Sequence, residues 1–484
     1  MKSVKQETLS GVKWNAIERF SVQGVQFLLG LALARLLTPK DFGAISMLGI
    51  FFAVSNTFIN SGFANALIRK KDSTDVDFST VFYYNIFISV LFYGLLFIIA
   101  PYVSIFYNMP LLTMVLRVQS ITLILNSLCA IQVTRLTIAL DFRCLAKVNL
   151  VAALLSGGSG VALAYYGWGI WALVAQNIIA TFVKMVILWT YSKWIPLLLF
   201  SWKSFKELFS YGSKLLAAGL LNTIYSNLNS LVIGRFFSAQ DLGYYNRGTN
   251  FARFPSTSIN DVLMKVTFPI MAKIQNDDEY LIRVYRRNIR ITCMCIFFLC
   301  VLLAAVGKPL IYLILTDKWH DSVMYLQIYC FAIMFSHINT INLNLLQVKG
   351  RSDLFLRLEI IKKIISTSIL FAAIPFGVMG ICISKIIYTH IAIVINTYYT
   401  GKLFNLGYFA QIRDFFKFFV CSVVACVPAY FLTLVIPSNI LSLLLCGVIA
   451  PLLYWFMLRK NEDMCELIKL FEPKVRSILH FIKK

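Results

Sequence analysis

Apolar runs of helical length follow one another along this chain, from near Trp14 to Leu458, with short breaks at glycine, proline or charged residues. About 20 residues of helix are needed to cross roughly 30 Å of hydrocarbon. The spacing of the breaks therefore predicts an all-α polytopic membrane protein with about 14 transmembrane helices. The predicted spans lie near 14–36, 42–68, 80–101, 112–139, 146–166, 168–192, 209–233, 242–270, 290–315, 322–347, 357–375, 378–401, 415–436 and 439–458.

The composition supports this class of protein. Hydrophobic residues make up 59% of the chain and charged residues 14%, whereas about a quarter of the residues of a soluble domain are charged. The 11 cysteines are scattered through the apolar runs and show no zinc-binding pair of C-x-x-C motifs. We predict that they are small packing residues, and that the protein carries no metal and no cofactor.

The distribution of basic residues predicts the topology. If the N-terminus lies in the cytoplasm, the inner loops carry most of the lysines and arginines, while the outer loops YNMP, YGWG, TDKWHD, PFGVMG and IPSN are short and nearly uncharged. This asymmetry follows the positive-inside rule and predicts that both termini are cytoplasmic. Most of the net charge of +23 is then explained by topology, so no nucleic-acid partner is inferred. The inner basic groups include Arg69, Lys70, Lys71, Arg143, Lys203, Lys206, Arg283, Arg286, Arg287 and Arg290.

A short motif occurs twice, as RLLTPKDFG at 35–43 and as RFFSAQDLG at 235–243. Six spans separate the two copies, and an even number places both on the same side of the membrane. The chain is therefore predicted to contain two parallel six-helix repeats, with Gly43 equivalent to Gly243. The predicted domains are an N-lobe of spans 1–6 at 1–195, an amphipathic cytoplasmic linker at 196–213, a C-lobe of spans 7–12 at 214–401, and spans 13–14 with a basic tail at 402–484.

Three segments carry a family resemblance: GVKWNAIERFSVQGVQFLLGLALARLLTPKDFGAISM, SGFANALIRKKDSTDVDFSTVFYYN and IGRFFSAQDLGYYNR. They resemble the Wzx polysaccharide flippases, in particular the branch that exports units of the colanic-acid and teichuronic-acid type. These flippases belong to the multidrug/oligosaccharidyl-lipid/polysaccharide exporter superfamily. The similarity runs from about Gly11 to about Gln275. One residue departs from the pattern: Asn60 stands before SGF, where the resemblance leads us to expect an aspartate.

The resemblance implies a transporter, not an enzyme. It implies that two lobes turn an undecaprenyl-diphosphate-linked oligosaccharide across the bacterial cytoplasmic membrane by alternating access, for O-antigen, capsule or exopolysaccharide. The partners implied are the lipid-linked substrate, membrane lipids, a coupling cation (H⁺ or Na⁺) and a neighbouring polysaccharide polymerase.

Polar residues recur at helical spacing on spans 1, 2, 7 and 8, the spans that the repeat makes equivalent. Ionisable groups inside spans are costly and usually face a cavity, so these stripes are candidate substrate contacts. Asp261 has two interpretations, a partner for Lys265 or a site for the coupling cation. The predicted substrate-binding residues are Arg19, Gln23, Gln26, Asn56, Asn60, Lys214, Asn222, Asn250, Arg253, Asn260 and Lys265.

Other interpretations remain open at this point. Arg19 could snorkel to the inner surface or pair with Glu18, and Lys214 could be a positive-inside anchor. Arg117, Lys184 and Lys385 have in-span positions that suit packing as well as binding. The polar strip around His337 and Asn342 in span 10 could contact sugars or form an interhelical hydrogen-bond cluster.

Competing functions are a drug/cation antiporter of the same superfamily, a peptidoglycan-precursor flippase, and a membrane-embedded polysaccharide polymerase or glycosyltransferase. The in-span charge is mainly basic, which suits an anionic lipid head group better than a cationic drug. A polymerase or glycosyltransferase needs catalytic residues on a sizeable outer loop, and the predicted outer loops are short.

Overall fold

The computed structural model describes residues 22–60 and 62–466, apart from the side chains at 257, 258 and 260–266. The described backbone is helical and contains no β-strand. Its internal contacts divide the chain into two compact units, Met1–Gly243 and Tyr244–Lys484.

The first unit contains nine described helices and the start of a tenth. Several predicted spans are made of two consecutive helices, as in the pair α5 and α6, which meets at Ser120. The helices are α1 (Val22–Leu36), α2 (Pro39–Asn60), α3 (Phe63–Arg69), α4 (Asp75–Phe106), α5 (Leu111–Gln119), α6 (Ile121–Ile138), α7 (Phe142–Tyr165), α8 (Ile170–Ser192), α9 (Trp202–Phe236) and α10 (Ala239–Lys273), which crosses the unit boundary.

The second unit contains the rest of α10 and eight further helices. Two 3₁₀ turns, Asp317–Trp319 and Ile374–Phe376, separate neighbouring helices. The helices are α11 (Asp278–Ala305), α12 (Gly307–Leu315), α13 (His320–Ile333), α14 (Ser336–Val348), α15 (Ser352–Ala373), α16 (Gly377–Phe404), α17 (Tyr408–Val435) and α18 (Asn439–Leu458).

This architecture confirms the prediction of an all-α polytopic membrane protein. Over the described residues, a helix or a pair of helices occupies each predicted span, and nine segments are long and apolar enough to cross a membrane. α9 and α10 do not reach that hydropathy because of their many polar residues. The exact count of 14 stays a prediction.

The last helix shows how the interior is arranged. In α18 the buried side chains recur every four residues and are mostly small or polar: Ser442, Cys446, Ala450, Tyr454 and Leu458. The large aliphatic residues lie on the other face, and Leu444, Val448 and Leu452 are each more than half exposed. Small residues let helices approach closely, while large apolar residues suit contact with lipid chains. The outward apolar face of α18 is therefore the one expected to contact lipid.

The cysteines behave as predicted. All 11 are free thiols, nine of them are buried, and the other two, Cys295 and Cys465, are half-buried. The prediction that they are packing residues is therefore confirmed.

The amphipathic segment predicted as a linker is the first part of α9, which continues without a break from Trp202 to Phe236. Its aromatic residues pack on the first unit. Phe205 lies 5.8 Å from Phe63 and 5.4 Å from Tyr84, measured between ring centroids. Leu208 is buried in the same cluster. This segment therefore belongs to the core of the first unit, and the predicted domain bounds stay predictions.

Candidate functional site

The repeated motif forms the same helix start twice. Thr38 precedes α2, where its hydroxyl donates to Asp41 Oδ2 at 2.6 Å and accepts from the Asp41 N–H at 3.3 Å. Ser238 precedes α10 and makes the same two bonds with Asp241, at 2.6 and 3.0 Å. Such reciprocal bonds satisfy amide groups that have no partner within the helix. The Thr/Ser-x-x-Asp part of the motif is therefore a pair of N-terminal caps.

The glycine that ends each copy has a different role. A Cβ atom on Gly43 would overlap the carbonyl oxygen of Ala239, and a Cβ on Gly243 would overlap the carbonyl oxygen of Pro39. Pro39 and Ala239 occupy the same position in the two copies. The contact is thus reciprocal, as expected of two segments related by a local two-fold axis. Any side chain at either glycine would separate the two helix starts.

The SGF segment makes a second close contact in the first unit. Gly62 has φ +70°, and a Cβ there would lie 2.9 Å from the Gly212 carbonyl oxygen of α9. Glycine adopts positive φ with little strain, so it can separate α2 from α3 at this point. Phe63, the next residue, is fully buried.

Lys70 anchors the loop between α3 and α4. Its Nζ donates to Asp77 at 3.1 Å and to Glu207 at 3.2 Å, joining α4 and α9. Partial burial lowers the pKa of Lys70, but the bonds to the two carboxylates outweigh it, and the pKa lies above its ordinary value. These motifs, which carry the family resemblance, therefore build the scaffold.

A polar cavity of about 330 Å³ lies inside the first unit. Helices α2, α3, α4, α6 and α8 form its wall. It includes Asn56 and Asn60, two of the predicted substrate-binding residues. The structure adds Asn85, Asn126 and Lys184, so the wall combines four amides with one cation.

The second unit presents a different cationic site. Arg253 of α10 is exposed, and its Nη2 donates to the Tyr329 hydroxyl at 2.8 Å. Lys385 of α16 lies within electrostatic range of Arg253 and 4.6 Å from the Tyr388 ring centroid. Two cations near one another repel, and an anion bound between them would relieve that repulsion. This pair is well suited to an anionic group.

The remaining predicted residues do not converge on one described site. Arg19 lies outside the described residues, and the side chains of Asn260, Asp261 and Lys265 lie outside the described side chains. The structure therefore leaves all of these assignments as predictions. The following residues are exposed on their helices: Gln23, Gln26, Lys214, Asn222 and Asn250.

The polar strip of span 10 is an interhelical hydrogen-bond cluster. Asn342, fully buried on α14, accepts from the Tyr285 hydroxyl at 2.9 Å and exchanges two bonds of 3.0 Å with Gln411. His337 is also fully buried, 3.2 Å from Cys293 Sγ. Groups so placed are inaccessible to a sugar, so the alternative of sugar contact is wrong for these two residues.

Arg117 likewise has a packing role. Its Nε donates to the Phe97 carbonyl oxygen at 3.2 Å, and its guanidinium lies 4.2 Å from the Phe97 ring centroid. Lys184 and Lys385, the other two cations whose role was open, instead lie at the sites described above. Asn85 and Asn126 were not among the predicted residues because they lie on spans 3 and 4, outside the polar stripes of spans 1, 2, 7 and 8. Their signal in the sequence is a single asparagine in each apolar run.

Comparisons with known proteins agree on one family. A family model described as "Polysaccharide biosynthesis protein" matches residues 32–324. Teichuronic acid biosynthesis protein TuaB of Bacillus subtilis is 25% identical over 356 residues, which are 73% of this chain and 74% of that protein. Lipopolysaccharide biosynthesis protein WzxC of Escherichia coli is 23% identical over 383 residues, which are 78% of this chain and 76% of that protein. These matches confirm the resemblance seen in the motifs.

The fold is also that of a solved transporter. The structure of lipid II flippase MurJ in an inward closed conformation superposes with a TM-score of 0.74, covering 92% of this chain and 99% of that one. The sequence identity is 13%, so this similarity concerns the fold alone.

Proposed function

Because the chain belongs to the polysaccharide biosynthesis protein family, we propose that it flips an undecaprenyl-diphosphate-linked oligosaccharide across the bacterial cytoplasmic membrane. The unit would serve O-antigen, capsule or exopolysaccharide synthesis. The observation that carries the proposal is the pair of cations Arg253 and Lys385 on membrane-embedded helices of the second unit.

The chemistry of the cargo explains why such cations are needed. A diphosphate carries about two negative charges, and an unpaired ion in a low-dielectric medium costs several kcal/mol even after relaxation. Arg253 and Lys385 would offset that cost during passage. Arg253 can also offer a bidentate donor pair to phosphate oxygens. Arg253 is exposed and Lys385 is half-buried, so a head group could reach both side chains and be released again.

The first unit would contact the sugars. Asparagine amides both donate and accept hydrogen bonds, which matches the hydroxyl groups of an oligosaccharide. The cavity lined by Asn56 and Asn60 offers such groups, and the described residues of its wall include no acidic side chain. The cationic chemistry of both sites favours an anionic lipid over the cationic substrate of a drug antiporter.

Topology and coupling complete the proposal. Both termini would be cytoplasmic, as the basic loops predict, and the lobes would alternate in access. Asp261 is our candidate for a coupling cation, H⁺ or Na⁺. A polysaccharide polymerase would receive the flipped unit.

The proposal is tested in a bacterial strain that lacks its own flippase and accumulates the lipid-linked unit inside. Expression of this chain should restore surface polysaccharide and lower the accumulated intermediate, relative to empty vector. Ethidium efflux is measured in parallel. Unchanged intermediate together with increased ethidium efflux would favour the antiporter and reject the flippase.

A further inference from the structure

The cavity in the first unit has a chemical character that the proposed flippase function alone does not explain. Among the residues that the structure describes, its wall holds one cation, Lys184 of α8, and no acidic residue. Within the described part of the chain, Lys184 has neither a hydrogen-bond nor an ion-pair partner. A cation in this setting favours a negatively charged ligand and opposes a metal ion or a cationic drug.

A second group in the same wall, the Oδ1 of Asn85, lacks a hydrogen-bond donor among the described residues. Asn85 of α4 is 3% exposed, and its Oδ1 has no hydrogen-bond partner among the described residues. A buried acceptor without a partner is costly, and most such atoms in native proteins are satisfied. The cavity wall therefore lacks a donor that a ligand could supply.

Together these two groups define the ligand. We propose that the cavity binds one acidic sugar of the cargo, with its carboxylate at Lys184 and a ring hydroxyl donating to Asn85 Oδ1. Asn56, Asn60 and Asn126 surround the rest of the ring. This inference rests on the proposed flippase function and specifies the class of repeat unit that it carries.

The diphosphate of the lipid fits this cavity less well. An ionised diphosphate offers only acceptors, so it cannot satisfy Asn85 Oδ1, and one lysine leaves about one of its charges unbalanced. The volume of about 330 Å³ is also at the lower end of the roughly 300–1,000 Å³ of small-molecule sites. It suits a single sugar better than a lipid-linked head group.

The test uses Asn126→Cys in an otherwise cysteine-free protein, purified in lipid nanodiscs. The rates at which an anionic and a cationic methanethiosulfonate reagent modify this thiol report the charge of the cavity. Adding Lys184→Gln should lower the anionic-to-cationic rate ratio about five- to tenfold, as expected for removing one nearby charge. Lys184→Arg should keep the ratio, and Lys147→Gln, at an exposed lysine outside the cavity, is the matched control.

Occupancy is then measured as protection of the thiol by sodium glucuronate, glucose or inorganic diphosphate. Glucuronate should protect best, and Lys184→Gln should reduce it to the level of glucose. Protection by diphosphate but not by glucuronate would assign the cavity to the head group and overturn the proposal. Absence of protection, or of modification by either reagent, would also overturn it.

Complementation of the flippase-deficient strain separates this inference from the function on which it rests. Restored polysaccharide without selective protection rejects the acidic-sugar site alone. Failure of complementation rejects the flippase function, whatever the thiol assay shows.

Discussion

Two buried asparagines, Asn342 in the second unit and Asn85 in the first, differ in how far their neighbours complete their hydrogen bonds. In the second unit Asn342 is enclosed and bonded to both Tyr285 and Gln411, so its polar atoms hold helices together. In the first unit Asn85 is also buried but lies at a cavity, and its Oδ1 has no hydrogen-bond partner among the described residues. The residue type is the same, and what differs is whether neighbours complete its hydrogen bonds. At Asn85 the incomplete set adjoins a cavity, so a ligand can contribute the missing hydrogen bond.

The largest expected effect breaks the enclosed network. Asn342→Leu should remove the acceptor of the Tyr285 hydroxyl and the donor to Gln411 Oε1, at about 1–3 kcal/mol for each buried group. We expect a loss of about 3 kcal/mol of stability, measured as a shift in unfolding by SDS, and little protein in the membrane. Asn222→Leu, at an asparagine exposed on α9, is the control. Equal stability of the Asn342 variant and wild type would show that the network does not hold the helices.

Unlike Asn342, Arg253 is exposed, so replacing it should affect export rather than the protein level. Arg253→Ala should lower polysaccharide export about 10- to 100-fold at unchanged protein level, since hydrogen bonds to a charged group contribute about 1.5–3 kcal/mol. Arg253→Lys should retain part of the export, because it keeps the charge and loses the bidentate donors.

Tyr329→Phe is the matched variant for Arg253. It removes the hydroxyl that Arg253 contacts, and it should reduce export much less than Arg253→Ala does. Normal export by Arg253→Ala at matched expression would mean that the cationic site lies elsewhere.

The two copies of the repeated motif allow a comparison within the first unit. Thr38→Ala and Ser238→Ala each remove one helix cap and should each cost about 1 kcal/mol. The costs should be similar, because the hydrogen bonds are equivalent in the two copies. Unfolding by SDS measures both, with Ser226→Ala on α9 as a control. A large inequality would contradict the structural equivalence of the copies.

The smallest expected effect on stability is that of Asn85→Leu. Because the Oδ1 of Asn85 accepts no hydrogen bond from any described residue, replacing the side chain should change stability by less than about 0.5 kcal/mol. The same SDS assay, run beside Asn342→Leu, makes the comparison direct. A loss as large as that of Asn342→Leu would mean that Asn85 is structural and would remove the contrast between the units.

The sequence by itself determined the class of fold, because membrane spans obey a local rule. Each span must be apolar over about 20 residues to avoid exposing polar groups to lipid, so runs such as 439–458 could be recognised without knowing their neighbours. The family followed from the local motifs as well. Thr38 with Asp41, and Ser238 with Asp241, act within four residues of chain, and so they keep a recognisable spacing.

Which polar residues share one cavity could be seen only in the folded chain. Asn56, Asn85 and Lys184 lie on three different helices and become one cavity only when those helices pack. The sequence could not distinguish His337 and Asn342, whose partners are distant in the chain, from residues open to a ligand. The reciprocal contacts of Gly43 with Ala239 and of Gly243 with Pro39 could not be predicted from the sequence either. Hydrogen bonding and close packing depend on neighbours in space, and those neighbours are set by the fold.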